Sequence, residues 1–218
     1  LDWLLPFDAA YAHVGGSPEA LAQITSLGVK DLNQFYNGSF YTRVSTRYAP
    51  HNVYTSMAQF DQLEKQKGYT TSKFISFLRK ADAKAKQPTA ASIDINISSY
   101  LYNSHYDYDA AANSYKRSEG GKPHTDERSG LQIEPKVVVA LVMPSTLEAD
   151  GDHSAYATVG GGAMTVFQDG VATPGTWHKA SRTAQFSFTG SDGQPLKLNA
   201  GQTWIVMVDN AGQISYKP

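Results

Sequence analysis

Four short segments concentrate side chains that could hold an anion or move a proton. The first, His13-Val14-Gly15-Gly16-Ser17-Pro18, sets two glycines and a capping serine between a strand signal and a helix signal. At such a junction the backbone N–H groups of Gly15, Gly16 and Ser17 can meet a negative charge at a helix N-terminus. His13 would stand at the rim. The plainer reading, a tight turn closed by Ser17, is preferred for this segment taken alone. In the second segment Arg43 and Arg47 precede Pro50-His51-Asn52 and Tyr54. Two guanidinium groups four residues apart, with a His and an Asn on a bend shaped by Pro50, suit phosphate, sulfate or carboxylate. His51 could also act as a general acid–base group. A surface loop satisfying its own backbone would use the same residues.

The third segment, Gly120-Gly121-Lys122-Pro123-His124-Thr125-Asp126, reads as a loop between strands, where function collects on a rigid scaffold. His124 and Asp126 could pair, bind a metal, or merely shape the turn. The fourth is Gly175-Thr176-Trp177-His178-Lys179-Ala180-Ser181-Arg182. Lys179 and Arg182 could meet an anion, and Trp177 reads as a packed anchor at a strand exit.

Other chemistries are excluded or disfavoured. The chain has no cysteine, so disulfides, thiolate nucleophiles and Cys-ligated metals are ruled out. It carries no GxSxG elbow, P-loop, HExxH or GxGxxG. Asp150-Gly151-Asp152 has the flavour of a calcium loop but lacks the twelve-residue pattern and the closing Glu. No resident metal or cofactor is expected.

The elements that must position these segments follow from periodicity. Residues 9–14 read as a strand. Ser17, Pro18 and Glu19 start a helix with Ala20, Leu21, Ile24 and Leu27 on one face, stopped by Gly28. A second helix starts at Thr55 or Ser56 and ends at Gly68. Residues 65–86 are Lys-rich and admit two readings, an apolar helix stripe or an extended 74–78 segment followed by a solvated linker. From Ile93 the period becomes two, and Tyr100, Tyr102, Tyr106 and Tyr108 extend that alternation. The unbroken apolar run 137–143 marks a central strand. Turn signals at Asp169-Gly170, Asp192-Gly193 and 210–212 separate further strands. The fold class expected is α+β. An α/β portion of strand-turn-helix units spans residues 1–91, and an antiparallel β-rich portion, a twisted sheet or partial barrel, spans 92–218.

The 218 residues are 41% hydrophobic and 18% charged, with a net charge of −1. A core can be buried, and no global field attracts nucleic acid. No run is long and apolar enough to span a membrane. The chain opens at Leu1 without Met, inside an apolar stretch, which suggests a longer parent protein.

Taken together, HVGGSPEAL (residues 13–21), RYAPHNVYT (47–55), GKPHTD (121–126), GTWHKASR (175–182) and GQTWI (201–205) resemble the YerB-type family, named as bacterial lipoproteins and defined by a domain of unknown function. The resemblance implies an N-terminal α/β portion, a β-rich C-terminal portion, and an extracytoplasmic parent held to the cell membrane by a lipid anchor absent from this chain. It implies no activity.

Three functions stay open on these grounds. The leading one is binding of an anionic envelope glycan or phosphate-bearing polymer. Arg43, Arg47 and Arg182 would hold the charge, with Lys179 beside them. His13, His51 and His124 would orient it, Gly15, Gly16 and Ser17 would add backbone donors, and Asn52 and Asp126 would complete the set. The second is an envelope hydrolase or transferase with His51 or His124 as its acid–base group. The third is a protein-interaction scaffold in which all four segments are structural turns.

Overall fold

Both helices begin where the sequence supplies a hydroxyl. In the computed structural model, which describes residues 1–149, 151 and 153–218, Ser17 Oγ accepts from Ala20 N at 3.2 Å and Ser56 Oγ from Gln59 N at 3.3 Å. Each bond satisfies a donor that the first helical turn would leave unpaired. Asp150 and Asp152 of the acidic turn lie outside the described residues. The chain forms two units, residues 1–76 with 182–185, and residues 77–181 with 186–218.

The first unit is built on a parallel strand–helix–strand crossover. β1 (Ala10–His13) leads through the glycine turn into α1 (Pro18–Ser26), which returns to β2 (Lys30–Asn33). β1 and β2 pair in parallel from Ala10 opposite Lys30 to His13 opposite Asn33. Ile24 of α1 and Leu32 of β2 are buried, the expected fate of the inner face of such a crossover. A short hairpin follows, β3 (Thr42–Arg43) against β4 (Val53–Tyr54), and then α2 (Met57–Lys67), which buries Leu63 and ends on Gly68 at φ 75°. Lys30 fastens the segments before β1 and after α2 to β2, its Nζ donating to Asp8 O (2.8 Å) and Thr71 O (2.6 Å).

The second unit holds β5 (Arg79–Lys80), β6 (Ser92–Ile95), β7 (Ser104–Asp109), β8 (Ser114–Glu119), β9 (Lys122–Pro123), β10 (Val137–Val142), β11 (Ser145–Leu147), β12 (Ser154–Tyr156), β13 (Gly160–Gln168), β14 (Val171–Lys179), β15 (Ser187–Gly190), β16 (Leu198–Asn199), β17 (Thr203–Val208) and β18 (Ile214–Lys217). Ten of them make two five-stranded sheets, in the orders β15-β14-β13-β10-β17 and β18-β6-β7-β8-β9, and the other four pair as β11-β12 and β16-β5. The sheets pack face to face. Ile93, Ile95, Tyr106 and Tyr115 of one meet Val138, Ala140, Phe167, Val206 and Val208 of the other in a single core. Full burial of each large apolar side chain contributes about 1.5–3 kcal/mol, which is why the run in β10 takes a central position.

The α+β class holds, with several local corrections. The β-rich part is neither one sheet nor a partial barrel but a two-layer sandwich. It is not wholly antiparallel, because β10 and β17 run parallel. Tyr100 and Tyr102 leave the alternation and sit on an exposed 3-10 turn, while Tyr106 and Tyr108 stay in β7. Of the two readings of residues 65–86, the extended one applies beyond α2. Residues 69–78 carry no helix, and β5 pairs with β16.

Candidate functional site

The site nearest to a binding arrangement lies in the first unit, where β1 and β2 end. The carboxyl ends of parallel strands are where open α/β units present their loops to ligands. Gly15 turns the chain there with φ 71°. A Cβ at this position would come within 2.8 Å of the Phe35 ring, so only glycine lets the turn close against that ring. The turn then delivers Ser17 to the start of α1. The N–H groups of Gly16 and Ser17 have no acceptor among the described residues, and both residues are exposed.

Gln34 joins this turn to the β3–β4 hairpin. Its backbone N–H donates to His13 O (2.9 Å), and its side-chain Oε1 accepts from Arg43 Nη2 (2.8 Å). Arg43 Nη1 donates to Asn52 Oδ1 (2.9 Å). Two of the five guanidinium N–H groups are thus engaged, which fixes the plane of an exposed cation and leaves other donors on it. Arg47 and His51 are exposed on the loop that follows β3, where the Ala49–Pro50 peptide is cis. Gly15, Gly16, Ser17, Arg43 and Asn52 are therefore brought to one edge of the unit, with Arg47 and His51 on the adjoining loop.

Other residues named from the sequence are engaged elsewhere. His13 is closed in: Nε2 meets Asp31 Oδ1 (2.8 Å), Nδ1 meets Gly15 O (2.7 Å), and Tyr11 stacks on the ring at 4.7 Å. It braces the turn instead of orienting a ligand. Arg182 also belongs to the first unit but donates from Nε to Asp2 Oδ1 (2.6 Å) and from Nη2 to Gln23 Oε1 (2.8 Å). Lys179, in the second unit, has 0% exposure with its Nζ 5.4 Å from the centre of the Phe186 ring, so no solvent-borne anion reaches it. Trp177 is the packed anchor expected, its Nε1 donating to Val142 O (3.0 Å).

His124 and Asp126 do not pair as entertained above. The Asp126 carboxylate accepts from the backbone N and Oγ of Ser129, each at 2.8 Å. Those bonds, the backbone one first, hold its pKa below the usual carboxylate range and mark a structural turn. His124 Nδ1 faces Arg117 Nη1 instead, and its ring meets Trp204 edge-on.

Sequence reasoning missed Arg117. It is 3% exposed and stacked 4.3 Å from the Trp204 ring centre, and it donates to Ser104 Oγ (2.8 Å) and Glu119 Oε2 (3.2 Å). The same Arg117 bond holds Glu119 low. The signal was available, since alternation places Arg117 on the core face of β8 with Tyr115. Asp169 was missed as well. Its carboxylate takes Lys80 Nζ (2.5 Å), Asn113 Nδ2 (2.9 Å), Asn199 Nδ2 (2.7 Å) and Ala83 N (3.0 Å).

Recesses among the described residues lie elsewhere than the glycine turn and Arg43. One of about 150 Å³ in the first unit is lined by Lys30, Glu64 and Tyr69 among others, and a shallow cleft of about 440 Å³ in the second unit is lined by Lys80, Thr173, Asp192 and Leu196 among others. Neither is lined by a residue proposed from the sequence to bind a ligand. At the edge formed by Gly15–Ser17 and Arg43, Gly16, Ser17 and Arg43 are exposed. Among the described residues no group of three or more potential ligands is arranged for a metal, and no helix is long and apolar enough to cross a membrane.

Fold and site define an α+β protein with an open, cation-bearing crossover edge in one unit and a closed β-sandwich in the other. Two family models match the chain, the DUF3048 N-terminal domain over residues 1–70 and the DUF3048 C-terminal domain over residues 93–205, both described as protein of unknown function. The chain belongs to the DUF3048 family. It is similar to a Bacillus subtilis (strain 168) protein named "Putative lipoprotein YerB", with 27% identity over 207 residues, 93% of this chain and 61% of that protein. The chain thus spans less than two thirds of that relative's length. The crystal structure of the YerB protein from Bacillus subtilis shares the fold, with a TM-score of 0.85 at 23% identity over 100% of this chain and 73% of the solved one.

Proposed function

We propose that the open edge of the first unit binds an anionic polymer of the bacterial cell envelope. In this reading the parent protein works outside the cytoplasm, held to the membrane by a lipid anchor, as the name of the similar protein implies. The observation that carries the reading is the Gln34 bridge, whose backbone bonds His13 O just before the glycine turn and whose side chain holds Arg43. Donors held in place before the ligand arrives lose little entropy on binding. An open face also suits a polymer better than a small substrate, which is usually taken into a recess. The hydrolase or transferase reading lacks such support. Among the described residues nothing stands within hydrogen-bond distance of the His51 ring, and His124 Nδ1 faces a buried guanidinium.

The test is affinity electrophoresis of the 218-residue chain in gels containing polyphosphate or polygalacturonate. Retardation is expected on at least one polymer, and it should weaken as salt rises from ~50 to ~300 mM because exposed charges are screened. The R43A/R47A double variant should lose roughly tenfold or more in affinity, since charged hydrogen bonds are being removed. No retardation of the wild type, or an unaltered double variant, overturns the proposal.

A further inference from the structure

The same edge carries aromatic rings that a phosphate chain would not use. Phe35, Tyr36 and Tyr48 are 66%, 81% and 92% exposed. Phe35 and Tyr36 follow Gln34 directly, and the Phe35 ring lies against Gly15 of the glycine turn. The backbone N–H groups of both residues bond to Asn33, Phe35 N to Oδ1 (3.1 Å) and Tyr36 N to O (3.3 Å), so this end of β2 is held in a defined turn. Tyr48 is the neighbour of Arg47 in the loop after β3. Exposed aromatics that adjoin, in the chain, both Gln34, which holds Arg43, and Arg47 point to an interaction surface more than scattered single ones do.

We infer that the polymer taken by this edge is an acidic glycan, with sugar rings lying on Tyr36 and Tyr48 and its carboxylate or other acid group on Arg43 and Arg47. A pyranose presents a face of C–H bonds, weakly positive and poorly hydrated. An aromatic face is negative, so the two stack without desolvating a charge. Tyrosine does this at small entropic cost, having two side-chain torsions to fix. The arginines meet acid groups spaced along the same chain. Polyphosphate offers the charge alone. The inference rests on the anion-binding reading above and adds the sugar.

The experiment compares wild type, Y36A/Y48A, Y36F/Y48F and R43A/R47A on polygalacturonate, polyphosphate and the neutral glycan dextran. The tyrosines are exposed, so their replacement leaves the fold intact, and Phe35 is kept because it supports Gly15. Y36A/Y48A should bind polygalacturonate about fivefold or more weaker while its polyphosphate binding stays within about twofold, given the usual contribution of stacking. Y36F/Y48F should behave as wild type, and dextran should bind none of them. The inference is overturned if Y36A/Y48A matches wild type on polygalacturonate, if it weakens both polymers equally, or if wild type binds polyphosphate alone. In each of these cases a weakened R43A/R47A leaves the anion-binding reading standing. An unaltered R43A/R47A removes both.

Discussion

Asp169 adopts a left-handed backbone at φ 58°, as does Gly170 at φ 78°, the geometry that a two-residue hairpin turn requires. Here the turn faces inward. Burial alone would raise the Asp169 pKa, but the bonds from Lys80, Asn113, Asn199 and Ala83 outweigh it and bring it down to about 2. A folded-state pKa below the unfolded one stabilises the protein above the unfolded value, and that stabilisation disappears as pH falls through the folded one. Asp169 should therefore contribute about 2 kcal/mol at neutral pH, lost between about pH 4 and pH 2. Asp169→Asn tolerates the same backbone but removes the charge facing Lys80. It should lower stability by about 2–4 kcal/mol at pH 7. Urea denaturation at pH 7 and pH 3 checks both statements: the gap between wild type and variant should shrink in acid, and a constant gap would rule out the ion pair as its source.

At the scale of elements, the β14–β15 pairing depends on two facing glycines. Gly175 stands opposite Gly190, and a Cβ on Gly175 would lie 2.1 Å from the Thr189 carbonyl oxygen. Gly175→Ala should separate the two strands locally and cost about 3 kcal/mol, read as a lowered melting temperature with exchange protection lost first in β15. What was legible in the sequence was local. The caps of α1 and α2, the buried run of β10 and the Asp169-Gly170 turn each have their cause within a few residues. The two-layer sandwich and the parallel β10·β17 pair were not legible, because alternation reports which face of a strand is buried and not which strand lies beside it. The site divides in the same way. The glycine turn and the arginines were visible as residue types, but Gln34, which joins them, carries no chemistry of its own. The partners of Asp169 lie 30 to 89 residues away and left no local trace.

At the scale of the molecule, residues 182–185 belong to the first unit although strands of the second precede and follow them. Arg182 bonds Asp2 near the start of the chain and Gln23 in α1, and Gln185 Nε2 donates to Ile75 O (2.9 Å). Arg182→Ala should lower stability by only about 1 kcal/mol, because the pair is partly exposed. It should nonetheless raise hydrogen exchange selectively in residues 1–5 and in α1. A uniform rise across the second unit would show that the segment serves something other than the first unit.

That excursion sets an order on synthesis. A ribosome delivers residues 1–76 well before the segment that closes them off, which comes more than a hundred residues later, after β14. The sandwich waits too, since β18, Ile214 to Lys217, pairs with β6 from more than a hundred residues further along the chain. The first unit therefore cannot be finished before most of the second has been made. The first unit can close once residues 182–185 are delivered, and the sandwich only later, when β18 supplies the partner of β6.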